Sequence, residues 1–187
     1  MKTHLDYTYF SAPLKANTKQ KQIFIKHTPE AFHTQGAWAL LMCAQVSGLL
    51  EWGVKDLGER NYKFGLRPSP TGPFKTQTHL AYWCACASTF LGMDRGPTRN
   101  TTKKNTFWKP FEELFGLPRK TFSRAAGPLD LYHDESGWPN GREEYAAATN
   151  AFFNSLESYP TFTDYLEDFL NPPAPGSYAD DENPPEL

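Results

Sequence analysis

The chain has 187 residues, a mass of 21.2 kDa and a mean hydropathy of −0.61, with 39% hydrophobic and 15% aromatic residues. That is enough apolar material for one sizeable core, but no apolar run approaches the ~18 residues of a membrane span, so an integral membrane protein is excluded and a soluble one expected. Three cysteines imply no disulfide framework, and the start MKTHLDYTYF lacks the charged-then-apolar order of a secretory signal, so a cytoplasmic location is expected.

The net charge of −2 argues at first against a nucleic-acid partner, yet it is a cancellation. Residues 1–59 carry +1, the stretch from Arg60 to Arg124 carries +9, and the part from Ala125 onward carries −12. Two readings fit: an anionic partner for the basic part, or two parts that face each other in the fold.

In chain order, LDYTYF (5–10) and QIFIKH (22–27) are aromatic and β-branched runs around a polar connection, which predicts an N-terminal β-hairpin. Thr28-Pro29-Glu30 carries the cap, proline and acid of a helix start, and a helix to about Gly48 is expected, broken at Gly36 and buried on most sides. The stretch from Asn61 to Pro73, with three prolines, suits an extended strand-to-loop connection. Thr76 or Thr78 caps a helix through HLAYWCACASTFLG, ended by Gly92 and Gly96-Pro97. Residues 98–106 read as an exposed basic loop.

Two short helical segments, FWKPFEELFG and RKTFSRAAG, flank Leu117-Pro118. An alanine-rich helix is expected from Glu143 to Ser158, stopped by Pro160, with Thr161 or Thr163 capping a last amphipathic helix, TDYLEDFL. The sequence is thus expected to form an α+β, predominantly helical fold: one domain over residues 1–171, then an acidic, proline-rich disordered tail over 172–187.

The segment from Pro110 to Ala126, PFEELFGLPRKTFSRAA, carries the functional argument. Gly116 lies where a turn between two helices needs a glycine, Leu117 where an apolar residue plugs the core, and Pro118 where a second helix opens. Phe111, Leu114 and Phe115 form the inner side of the first helix. In these residues the segment resembles the helix-turn-helix of bacterial and phage repressors and replication initiators. An ordinary helical corner satisfies the same residues. The resemblance implies a phage- or plasmid-type regulator or replication factor that binds double-stranded DNA without catalysis. Arg119, Lys120, Thr121, Ser123 and Arg124 would lie at the duplex, with Arg99, Lys103, Lys104 and Lys109 on phosphates.

A second expectation is a protein-interaction or inhibitor module whose acidic C-terminal region (Glu143, Glu144, Glu157, Asp164, Glu167, Asp168) mimics nucleic acid and occupies a basic groove on a partner protein. A third is a metal-dependent nuclease using His133, Asp134 and Glu135. No catalytic set, cofactor or metal site is expected under the leading reading. Cys43 and Cys84 read as core thiols, because Cys84 and Cys86 point apart on one helix and cannot chelate together. LRPSPTGPF (66–74), followed by His79, resembles the ATP-site turn of glutamyl-tRNA synthetases but lacks the glycine that those enzymes carry soon after the histidine. The tryptophans read as core rather than as base-stacking platforms, unless Tyr7, Tyr9 or Trp108 proves exposed.

Overall fold

A computed structural model of the chain describes residues 7–10, 24–59, 61–93, 108–118, 120–121 and 143–171. Within them the fold is α+β and mostly helical, as composition and patterning led us to expect. A three-stranded antiparallel sheet is built from β1 (Thr8–Phe10), β2 (Leu50–Asp56) and β3 (Tyr62–Pro68), in that spatial order. Leu50, Trp52 and Val54 of β2 alternate with Glu51, Gly53 and Lys55, so one side of the strand is apolar and turns to the core.

The hairpin expected between residues 5–10 and 22–27 does not form. Thr8–Phe10 pairs instead with β2, placing Tyr9 opposite Gly53, while residues 24–27 coil into a single helical turn. Packing overrides strand propensity here. The turn drives Phe24 into an aromatic cluster, 4.1 Å from Trp52, 4.6 Å from Phe64 and 5.1 Å from Trp38 between ring centroids. An extended segment would have presented alternate side chains to opposite sides. The hairpin that does form joins β2 to β3 through a turn in which Asp56 Oδ1 accepts from Gly58 N at 2.8 Å.

Helix α1 (Gln35–Val46) begins later than Thr28, after a 3-10 turn at Glu30–Phe32. Its cap is Thr34, whose Oγ1 accepts from Ala37 N at 3.3 Å. Gly36 falls in its first turn and does not break it. Every residue from Ala37 to Gln45 is buried, so α1 is the central rod of the fold rather than a surface helix. Helix α2 (Gln77–Phe90) has the expected Thr76 cap, with Oγ1 accepting from His79 N at 3.3 Å, and Gly92 follows its end at φ 63°. Helix α3 (Lys109–Phe115) packs on β3.

Helix α4 (Glu143–Ser155) continues into a 3-10 turn at Leu156–Ser158 and packs on α2, where Tyr82 Oη donates to Asn150 Oδ1 at 3.0 Å. Helix α5 (Pro160–Leu170) covers α1. Pro160 opens α5 at its first position instead of merely closing the preceding helix, because a helix start has no use for the missing N–H. Neither Thr161 nor Thr163 is the cap. Thr161 lies inward, its hydroxyl 3.7 Å from the Cys43 thiol of α1. The buried residues from Phe24 to Leu156 join in one cluster that draws on the sheet and on α1 to α4, and half-buried Phe162, Tyr165 and Phe169 of α5 pack against it.

Candidate nucleic-acid interface

Residues 109–118, in the first half of the segment that resembles a helix-turn-helix, form a short helix and a turn. Phe111 and Leu114 of α3 are fully buried, Phe111 meeting Phe32 edge-on at 5.4 Å, while Phe115 and Leu117 are half-buried against the core. Gly116 adopts the left-handed conformation, φ 63° and ψ 20°, which reverses the chain after α3 at no steric cost to a residue without Cβ. Thr121 N then donates to Pro118 O at 2.7 Å, and residues 120–121 are helical. Lys109 and Lys120 are exposed and Thr121 is half-buried. Arg99, Lys103, Lys104, Arg119, Ser123 and Arg124 lie outside the described residues, as does His133-Asp134-Glu135.

The side of the sheet turned away from the core forms a second group that reading the motif alone misses. Across β2 and β3 the register sets Glu51 opposite Arg67, Gly53 opposite Gly65, and Lys55 opposite Lys63. Glu51 Oε2 accepts from Arg67 Nε at 2.8 Å and lies 2.7 Å from Nη2, gripping one edge of the guanidinium. The Cζ of that guanidinium lies over the Tyr9 ring, 3.8 Å from its centroid. Tyr7 stands 5.9 Å from Tyr9, ring to ring. Both are half-buried, and burial pushes both phenols above their ordinary range, so they are neutral throughout physiological pH.

The two tyrosines settle onto glycines. A Cβ on Gly53 would stand 2.7 Å from the Tyr9 ring, and one on Gly65 would stand 3.3 Å from both the Tyr7 ring and the Leu114 carbonyl oxygen. A side chain at position 53 would force the Tyr9 ring to move, and one at position 65 would be a tight fit. Gly65 is therefore the meeting point of the two groups: the C-terminal turn of α3 and the tyrosine-bearing face of the sheet touch there. The sequence signal for this face is the alternation in LEWGVKD and YKFGLRP, each with a glycine at its centre and charges on the glycine's side.

The remaining candidates resolve toward packing. Trp38, Trp52, Trp83 and Trp108 are each at most 1% exposed, so Trp108 offers no stacking surface. Cys43 and Cys84 are buried, and burial raises both thiols, Cys43 to about 11, which removes them as nucleophiles at neutral pH. His79 Nδ1 accepts from Lys75 N at 3.0 Å and so serves the local turn. Among the described residues no group of three or more His, Cys, Asp or Glu side chains is placed to hold a metal ion, and no helix is long and apolar enough to cross a membrane. Glu157, Asp164 and Glu167 are exposed and Asp168 is half-buried, while the side chains of Glu143 and Glu144 lie outside the described residues. No protein-family model, curated protein or solved structure matches the chain.

Proposed function

We propose that this chain binds double-stranded DNA and catalyses no reaction, with α3 as the first helix of a helix-turn-helix and the segment opening at Pro118 as the second. One observation carries the reading: the left-handed turn at Gly116, followed within two residues by a new hydrogen-bonded turn with Lys120 exposed. That is the short, glycine-turned connection through which such motifs aim a second helix at the major groove. Arg119, Lys120 and Arg124 supply cations for base edges and phosphates, and the surplus of basic residues from Arg60 to Arg124 supplies the sequence-independent attraction.

Titrating a labelled duplex against the protein at several salt concentrations tests this. Each phosphate-contacting cation removed lowers the log–log salt slope by about 0.9. The variant Arg119→Ala with Lys120→Ala is expected to lose at least tenfold in duplex affinity and to show the flatter slope. Unchanged binding in that variant overturns the reading.

A second reading, mimicry of nucleic acid by the acidic C-terminal part, draws on the exposed Glu157, Asp164 and Glu167. It requires a stoichiometric complex with a basic protein that nucleic acid displaces.

A further inference from the structure

The duplex reading leaves the tyrosine-bearing face of the sheet unused, and three properties of that face belong together. First, Arg67 is already immobilised. Glu51, only 13% exposed, holds one edge of the guanidinium and Tyr9 supports one plane, yet the Arg67 side chain remains 42% exposed. Its opposite plane is therefore a flat cationic surface fixed before any ligand arrives, and the ordering entropy of a long side chain has already been spent in folding. Second, Lys55 and Lys63 stand directly opposite each other with no change of sign between them, an unfavourable arrangement for folding that an anion between the two ammonium groups relieves. Third, between the lysine pair and Arg67 the face is paved by the half-buried Tyr7 and Tyr9 rings, which lie against Gly65 and Gly53.

We infer that this face binds a single-stranded stretch of nucleic acid, one unpaired base stacking on the free plane of Arg67 and the backbone passing over Lys55 and Lys63. Arg67 and Lys63 are four residues apart on β3, roughly 13 Å, which is the rise of about four stacked nucleotides. Stacking on a guanidinium accepts any base, so the site takes single strands with little sequence preference. A duplex keeps its bases in the stack and offers none to Arg67, and this separates the sheet face from the helix-turn-helix surface. Single-stranded nucleic acid rather than an acidic peptide is favoured because the face pairs a planar stacking surface with point cations, and a peptide carboxylate would use only the cations.

Fluorescence anisotropy with the full chain tests the assignment, the probes being a labelled 12-nucleotide single strand of mixed sequence and the same sequence as a duplex. Lys55→Gln with Lys63→Gln should flatten the single-strand salt slope by about 1.4 and leave the duplex slope alone. Arg67→Lys, which keeps the charge but loses the plane, should weaken the single strand several-fold at unchanged slope. Arg119→Ala with Lys120→Ala should do the reverse, weakening only the duplex, so the two assignments fail independently. No single-strand binding by the parent chain, or a single-strand slope unaltered in the double lysine variant, overturns the proposal. Equal loss with glutamate-rich peptide as competitor would make the occupant an acidic peptide and overturn it as well. Unchanged near-ultraviolet circular dichroism identifies variants that keep the fold.

Discussion

Lys55 and Lys63 occupy directly opposed positions on β2 and β3, four residues along the same two strands from the Glu51–Arg67 pair that has the complementary signs. A fold selected for stability alone would place an acid at one of the two. Lys63→Glu is therefore expected to raise stability by about 0.2–1 kcal/mol, read as a higher urea midpoint, while weakening the single-strand complex. A lower midpoint would show that the two ammonium groups do not repel across the strands.

Gly116 ends α3 in the left-handed conformation. Its surroundings are open, so a methyl group would clash with nothing, and only the left-handed backbone is at stake. Gly116→Ala should cost about 1 kcal/mol, the left-handed penalty of ~1–2 being partly offset by a less flexible unfolded chain. Gly116→Asn should cost less, because asparagine tolerates this conformation. Equal losses in the two variants would point to a packing role instead.

Stability should fall steeply at alkaline pH. Burial, the leading cause in each case, raises Tyr82 to about 12 and Cys43 to about 11, and lifts Cys84, Tyr165, Tyr7 and Tyr9 as well. These groups ionise more readily in the unfolded chain, with ordinary values of 10.0 for tyrosine and 9.0 for cysteine. Their contribution is therefore complete below about pH 9 and is lost as pH rises toward 12. His27 works at the other end: burial, aided by Lys26, lowers it from 6.5, so its contribution holds above that value and fades as pH falls. Urea midpoints measured across pH 9–12 check the alkaline limb. Tyr82→Phe should lose about 1 kcal/mol near neutrality by leaving Asn150 Oδ1 without this donor, yet should decline less with rising pH.

Among the described residues, three buried indoles, those of Trp38, Trp52 and Trp83, have no hydrogen-bond partner for Nε1. An unpaired buried donor costs about 1–3 kcal/mol, which offsets part of the stabilisation from burying so large a ring. Trp83→Phe should accordingly cost no more than about 1.5 kcal/mol, against about 3–5 for Trp83→Ala. Chemical denaturation separates the two, and a phenylalanine variant as unstable as the alanine one would refute the offset.

How much of this was legible from residues alone varies with the range of the interaction that decides each element. Helix α2 and the Gly116 turn rest on local chemistry, a threonine cap and a glycine, and both stand where the pattern puts them. The QIFIKH run misleads because Phe24 answers to Trp38, Trp52 and Phe64, between 14 and 40 positions away, rather than to its own neighbours. Leu50–Asp56 did carry a strand signal in its alternation, diluted by a central glycine whose purpose is visible only once Tyr9 lies on it. Pro160 is ambiguous by nature, since proline both follows one helix and begins another. The sheet face was out of reach for a simpler reason: the Glu51–Arg67 pair depends on hairpin register, and the Arg67–Tyr9 stack on a strand that arrives from 40 residues upstream of β2.

The enclosure of α1 sets the timing of assembly. Cys43 and Thr161 are neighbours although 118 positions separate them, and between them lies nearly all the material that covers the central helix. At ~5–20 residues per second, a ribosome needs roughly 6–24 s to deliver α5 after α1 has emerged. Throughout that interval α1 lacks the cover that α5 supplies. The enclosure of α1 is completed only when the last helix docks.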